Sequence, residues 1–373
     1  TIFCSTSLFC ALSSSFAMLT VARILQGIGA SAIMSVTTAL LRIIYPPQYI
    51  GRGMSINAMV VAVSIAAGPS LAGAILSVAS WNWLFAINVP LGICAIITGY
   101  FLLPQNPCKD GPKRKFDKIG GISNALTFGL LIYSLEGIAH HENWRMIALQ
   151  VLLLLVMGTF FIRRQLRQEV PILPLDLMRI PIFALSVLSS ITSFTAQLLA
   201  MVSLPFYLQN VAGRNEVETG LLLTPWPVAT ILTAPVAGRL IEKYHPGLLG
   251  GIGMVVYATG LLLLALLPGQ PTNMDIAWRL MLCGMGFGLF QTPNNSTMIS
   301  AAPRSRSGGA NGMQGTARLL GQTLGTTFVA LIFSVTSATD SMPVCMYVAI
   351  GFALVAAIVS CLRISQPVPM RGR

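Results

Sequence analysis

Arg23 is the first residue with chemistry to account for. It stands in LTVARILQGIGASA, several residues inside an apolar run. A charge there is costly, and a functional role is the default expectation. Gly27, Ala30 and Met34 follow it by four, seven and eleven residues, near one helix face. The alternative is an arginine that snorkels to the headgroups at the nearer end of its run. Arg318 is the second cation inside an apolar run. It either faces a cavity or braces helix ends through carbonyl contacts. Proton transfer also needs a group that titrates in a low-dielectric site. Of eleven acidic residues only Glu136 lies inside a run, near its end, where it reads as an interfacial carboxylate.

Other constellations are weaker. GIGASA superficially resembles a dinucleotide fingerprint, but no strand precedes it and no βαβ unit surrounds it. His140, His141 and Glu142 lack the spacing of a zinc motif and read as a solvated loop, so no metal site is expected. The seven cysteines have no metal-like spacing and read as small buried hydrophobes. There is no Ser/His/Asp, Cys/His or phosphate-loop pattern. The sequence therefore argues against an enzyme and against direct use of ATP.

The elements that must position these residues follow from composition. Of 373 residues, 54% are hydrophobic and only 9% charged, with a mean hydropathy of +0.76. A soluble domain carries about 25% charged residues, so the chain reads as an all-α integral membrane protein. Twelve runs are long enough to span a bilayer: 1–18, 19–44, 52–79, 81–103, 118–139, 144–163, 181–209, 218–240, 247–268, 274–300, 306–335 and 342–363. Of the 23 Lys and Arg, 18 fall at every second connection or in the tail, and three (Arg145, Arg214 and Arg279) at the alternate ones. This asymmetry predicts that both observed termini are cytoplasmic. It also accounts for the net charge of +12 without nucleic acid. The basic loop 105–118 and the Pro-rich segment 163–181 bracket two runs that could be an insert between larger bundles.

Several motifs share one order. Ser64, Gly68 and Ala72 form a ridge of small residues spaced by four, which permits close helix approach, and Pro69 bends the helix beside them. Trp81 and Trp83 suit an interfacial belt, while Asn88 and Pro90 break the next apolar run at depth. With these in place the chain resembles the major facilitator superfamily, in particular its 14-span drug:proton antiporter branch (EmrB/QacA type), and within that the YebQ-like enterobacterial members. ARILQG, with Arg23, Gln26 and Gly27, resembles the Arg-bearing motif of the fourth span. GPSLAG, with Gly68, Pro69 and Gly73, resembles the antiporter motif of the fifth, with Ser64 and Ala72 replacing two of its glycines. WNWLFAINVP resembles a sixth-span motif, with Asn82 in place of Arg. AGRLIEKYHPG, with Gly238 and Arg239, resembles the second copy of the loop motif, with Glu242 where Asp is usual. RLLGQTLG, with Arg318, Gly321 and Gly325, resembles a late-span motif.

The resemblance implies a major facilitator fold in which the twelve observed spans are spans three to fourteen of fourteen, the first two being missing. The expected divisions are a four-span partial bundle at 1–104, a linker with two inserted spans at 105–180, and a six-helix bundle at 181–373. It implies proton-coupled export of amphiphilic or cationic compounds by alternating access. A narrower metabolite exporter and a non-transporting scaffold are the alternatives. The implied cavity spans offer Met34, Gln197, Met201, Phe206, Tyr207, Phe290, Gln291, Asn294 and Asn295 as substrate contacts; the same side chains could equally be interhelical packing. Arg23 would tune an acid on the missing first span. No cofactor is implied beyond a proton gradient. The expected partners are the bilayer of the bacterial inner membrane and a small-molecule substrate, with the chain a monomer and accessory export partners unspecified.

Overall fold

The computed structural model describes residues 1–45, 71–103, 117–139, 143–168, 173–269, 271–303, 306–337 and 339–365, together with 60, 64 and 68. All regular structure among the described residues is helical. The helices are α1 (Ile2–Ala11), α2 (Phe16–Ile44), α3 (Trp83–Ala86), α4 (Asn88–Leu102), α5 (Lys118–Ala139), α6 (Trp144–Leu166), α7 (Pro181–Asn210), α8 (Glu216–Leu223), α9 (Pro225–Leu240), α10 (Pro246–Ala265), α11 (Asn273–Ala301), α12 (Ser307–Val335) and α13 (Ser341–Leu362). Residues 71–78 are also helical, and short 3-10 turns cover Leu175–Arg179 and Arg363–Ser365. Among the described residues, eight helical segments are long and apolar enough to cross a membrane. Most of run 52–79, including Pro69, lies outside the described residues, as do His140, His141 and Glu142; of Glu136 only the backbone is described.

Local chemistry sets the helix ends. Asn143 accepts from Arg145 N at 3.1 Å at the start of α6, and Arg163 and Arg164 fill its last turn, where the helix dipole favours cations. Thr272 and Asp275 cap each other reciprocally at the start of α11. Pro181 and Pro246 open α7 and α10, where a missing N–H costs nothing. Thr224 and Pro225 divide one apolar run into α8 and α9.

The chain divides into two compact units, Thr1–Lys113 with Asn215–Thr224, and Arg114–Arg214 with Pro225–Arg373. In the first, α1 packs on α2 so closely that a Cβ on Gly29 would lie 2.7 Å from Phe3 N. Gly73 is equally confined: a Cβ there would lie 3.0 Å from Glu216 O, at the start of α8.

In the second unit α11 is clamped between α9 and α10. Its Gly284 and Gly288 face α9, where a Cβ on Gly288 would lie 2.9 Å from Thr230 O. Gly286 faces α10, where a Cβ would lie 2.7 Å from Gly253 O. On the other side α12 lies against α7 through Gly321 and Gly325, whose Cβ positions would crowd Phe194 Cβ (2.8 Å) and Thr195 O (2.7 Å). The turn Leu175–Arg179 leads into α7, with Leu177 packed among Ile182, Phe183, Met298, Ala310 and Met313. An ion pair of 2.9 Å between Asp176 and Arg306 ties this turn to the start of α12.

Helices α5 and α6 form a pair tied at its base by Asp117. Its carboxylate accepts from Arg164 Nη2 at 2.7 Å, from Gly120 N at 2.9 Å and from Gln168 Nε2. The Arg164 hydrogen bond, then the Gly120 amide, holds the Asp117 carboxyl down at about 2. The contribution of this tie is therefore complete above the carboxyl's ordinary value of 3.8 and is lost only as pH falls through about 2.

Two outcomes follow. Corrected for intrinsic rate, amide-exchange protection at Gly120 stays constant between pH 7 and pH 4, and Asp117→Asn lowers it at neutral pH. Gly286→Ala forces two backbones apart and costs about 1–3 kcal/mol in unfolding measurements in detergent. Gly27→Ala, whose added carbon meets nothing within 4 Å, is neutral or slightly stabilising in the same assay.

Candidate functional site

Two polar clusters sit among apolar helices, one in each unit. In the first unit Arg23 Nη1 donates to Gln26 Oε1 one turn on, at 2.5 Å. The arginine lies over the Phe85 ring, 5.6 Å from its centroid, within cation–π range. Gln26 is 3% exposed. It donates through Nε2 to Ser7 Oγ at 2.7 Å and accepts from the Cys10 thiol at 3.8 Å. Gln26 is thus fixed from both ends by α1, and it holds the guanidinium in turn. Arg23 itself is exposed, and no carboxylate among the described residues pairs with it. Gly27 and Met34 are exposed on the same helix. Asn82 Nδ2 donates to Ala11 O at 2.8 Å, closing the end of α1. Asn88 Nδ2 donates to Leu84 O at 3.4 Å, and Pro90 is exposed in the first turn of α4. Ser64 and Gly68 are exposed, and Gly73 is buried against α8.

In the second unit the centre is Arg363, at the end of α13 and only 1% exposed. Its Nη1 donates to Asn294 Oδ1 at 2.6 Å and to Ser186 Oγ at 3.0 Å, and its Nη2 to Ser360 Oγ. Asn294, also 1% exposed, donates through Nδ2 to Ser190 Oγ at 2.7 Å and to Ser186 O at 3.3 Å. Ser360 Oγ donates to Gly247 O at 2.9 Å. One guanidinium therefore joins α7, α11 and α13, and Ser360 brings in α10. Every acceptor is neutral. The charge is supported by oriented oxygens and by the C-terminal end of α13, where the helix dipole is negative.

The remaining residues singled out from sequence are placed as follows. On α7, Gln197 and Met201 are half-buried and Tyr207 is buried, while Phe206 is half-exposed and stacks edge-on with Phe333, centroids 5.4 Å apart. On α11, Gln291 and Asn295 are half-buried. Phe290 is buried against Phe287, which also meets Phe194 and Tyr257. Arg318 is half-buried one turn before Gly321 and makes no ion pair among the described residues. Gly238 and Arg239 are exposed at the end of α9. Asn294 thus joins the Arg363 cluster, whereas its neighbour Asn295 does not.

Arg363, Ser186, Ser190 and Ser360 were not singled out from sequence. One signal was available: Ser186, Ser189, Ser190 and Ser193 recur at helical spacing along an apolar run, a polar stripe that needs a partner. Replacing Asn294 with Ala strands a buried guanidinium donor. It costs about 1.5–3 kcal/mol, the range for a hydrogen bond to a charged group, measured as unfolding in detergent. Gln291→Ala costs much less.

Residues 1–326 match the family described as Major Facilitator Superfamily. The chain is 57% identical over 366 residues to "Uncharacterized transporter YebQ" of Escherichia coli (strain K12), spanning 98% of this chain and 80% of that protein. It is 30% identical over 337 residues to the "Tetracenomycin C resistance and export protein" of Streptomyces glaucescens, spanning 89% of this chain and 62% of that one. Among solved structures it is similar to a POT family transporter in complex with 5-aminolevulinic acid, with a TM-score of 0.68 at 16% identity, covering 98% of this chain and 80% of that one.

Proposed function

Because this chain belongs to the Major Facilitator Superfamily, a family of transporters and not of enzymes, we propose that it exports amphiphilic, often cationic compounds in exchange for protons. The observation that carries the reading is the state of Arg23. Gln26, itself anchored by Ser7 and Cys10, holds the guanidinium, and no carboxylate among the described residues neutralises it. A cation fixed in this way supplies half of a charge pair. A carboxylate meeting it would have its pKa lowered while the pair holds and would be released on protonation. In the numbering that the resemblance implies, that acid lies on the family's first span. The proton gradient is the energy source, and no cofactor takes part.

The printed name of one relative supports the direction: it is a tetracenomycin C resistance and export protein. In the second unit, α7 and α11 offer Gln197, Met201, Gln291 and Asn295, neutral hydrogen-bonding and polarisable groups that suit varied flat cations. Arg318 is a second candidate for coupling. In this reading the protein is a monomer in a bacterial inner membrane, with the basic connections on the cytoplasmic side.

The test is Arg23→Ala in the full-length protein, read in inverted membrane vesicles. The expected result is loss of both substrate efflux and substrate-induced proton movement, down to the level of membranes without the protein, with Arg23→Lys recovering part of each. Proton-driven efflux that persists in Arg23→Ala would overturn the coupling role. Substrate flux without proton movement in the unmodified protein would overturn antiport.

A further inference from the structure

At the end of the second unit that bears the basic connections, a groove of about 430 Å³ opens between the first turns of α7 and the last turn of α13. Pro181, Ala184 and Leu185 line one side, and Leu362 and Ser365 the other. The walls are apolar except at Ser365, whose one hydroxyl proton goes to Leu362 O at 2.8 Å, so its oxygen is left only to accept.

The charged residues nearest in sequence to the groove's lining among the described residues are Arg179 and Arg363, both cationic. Arg179, two residues before Pro181, is exposed and makes no ion pair among the described residues. Behind the α13 wall the Arg363 guanidinium is buried on neutral acceptors, so its charge is not cancelled locally. The acid nearest in sequence, Asp176, is engaged by Arg306 at 2.9 Å. An occupant complementary to this place carries a negative head and an apolar tail.

We propose that this groove is a binding site for one anionic phospholipid. The phosphate sits at Arg179, and an acyl chain lies along Ala184, Leu185 and Leu362. Arg363 acts from behind the wall through its field and not by contact. The site is separate from the transport reading, and a bound lipid would bridge α7 and α13.

Native mass spectrometry of the purified protein tests this, with phosphatidylglycerol and phosphatidylethanolamine offered in competition. One phosphatidylglycerol is expected to be retained in preference to phosphatidylethanolamine. Arg179→Gln lowers that retention about fivefold, the effect of removing one basic group at a membrane surface. Leu185→Trp, which fills the groove, lowers it to a similar extent. Arg163→Gln, at an exposed arginine on α6, leaves it unchanged. Equal retention of the two lipids, or undiminished retention in both Arg179→Gln and Leu185→Trp, would overturn the proposal. So would an equal loss in Arg163→Gln, which would mean diffuse attraction to a basic face. Unfolding temperatures of the variants measured in lipid-free detergent separate loss of the site from loss of the fold.

Discussion

Helices in a bilayer gain no hydrophobic drive from touching one another, because lipid tails are as apolar as leucine. What holds them is close approach and hydrogen bonding, and the second unit depends on both. Gly253, Gly284, Gly286 and Gly288 let three backbones meet where no side chain would fit. Gly321 and Gly325 do the same between α12 and α7. Other large apolar side chains face outward: Leu149, Leu152, Leu155 and Val156 of α6 are exposed. In water such a surface would drive aggregation; against lipid it costs nothing.

Within this arrangement the Arg363 cluster supplies the hydrogen bonding. A guanidinium does not give up its proton in a protein, so burying it requires acceptors. Ser186, Asn294 and Ser360 supply them from three helices. The absence of a carboxylate among its partners matters. A buried ion pair can be broken by protonating its acid, whereas neutral acceptors hold at any pH the membrane meets. Arg23 is placed differently, exposed and held by a single glutamine. Arg363 is thus a buried joint between helices, and Arg23 an exposed charge with no carboxylate partner among the described residues.

Much of the fold was legible because membrane segments announce themselves by length and apolarity. The limits of α5, α7, α10 and α13 fall within a few residues of the apolar runs. The breaks were harder. Run 218–240 is two helices because Pro225 removes a donor in its first third, and run 81–103 is interrupted at Ile87. At the candidate sites, local sequence placed Arg23 beside Gln26 because both lie on one helix. It could not place Arg363, which looks interfacial at the end of its run. Its burial depends on Ser186 and Asn294, 177 and 69 residues away in sequence. Counting charges by connection reports on topology and is blind to how deep a given side chain is set.

Helix α11 carries a last consequence, for how the protein is made. Its 29 residues include Arg279, Gln291, Asn294 and Asn295 together with several glycines, and it is not among the segments apolar enough to cross a membrane by composition. Yet it is enclosed, with α9 on one side and α10 on the other. A segment of this kind partitions poorly when it leaves the translocon alone. Its integration is then a cooperative event, in which the hairpin partners already inserted receive it laterally. The glycines that shape the finished bundle therefore also shape the place that receives α11, against α9 and α10, which precede it in the chain.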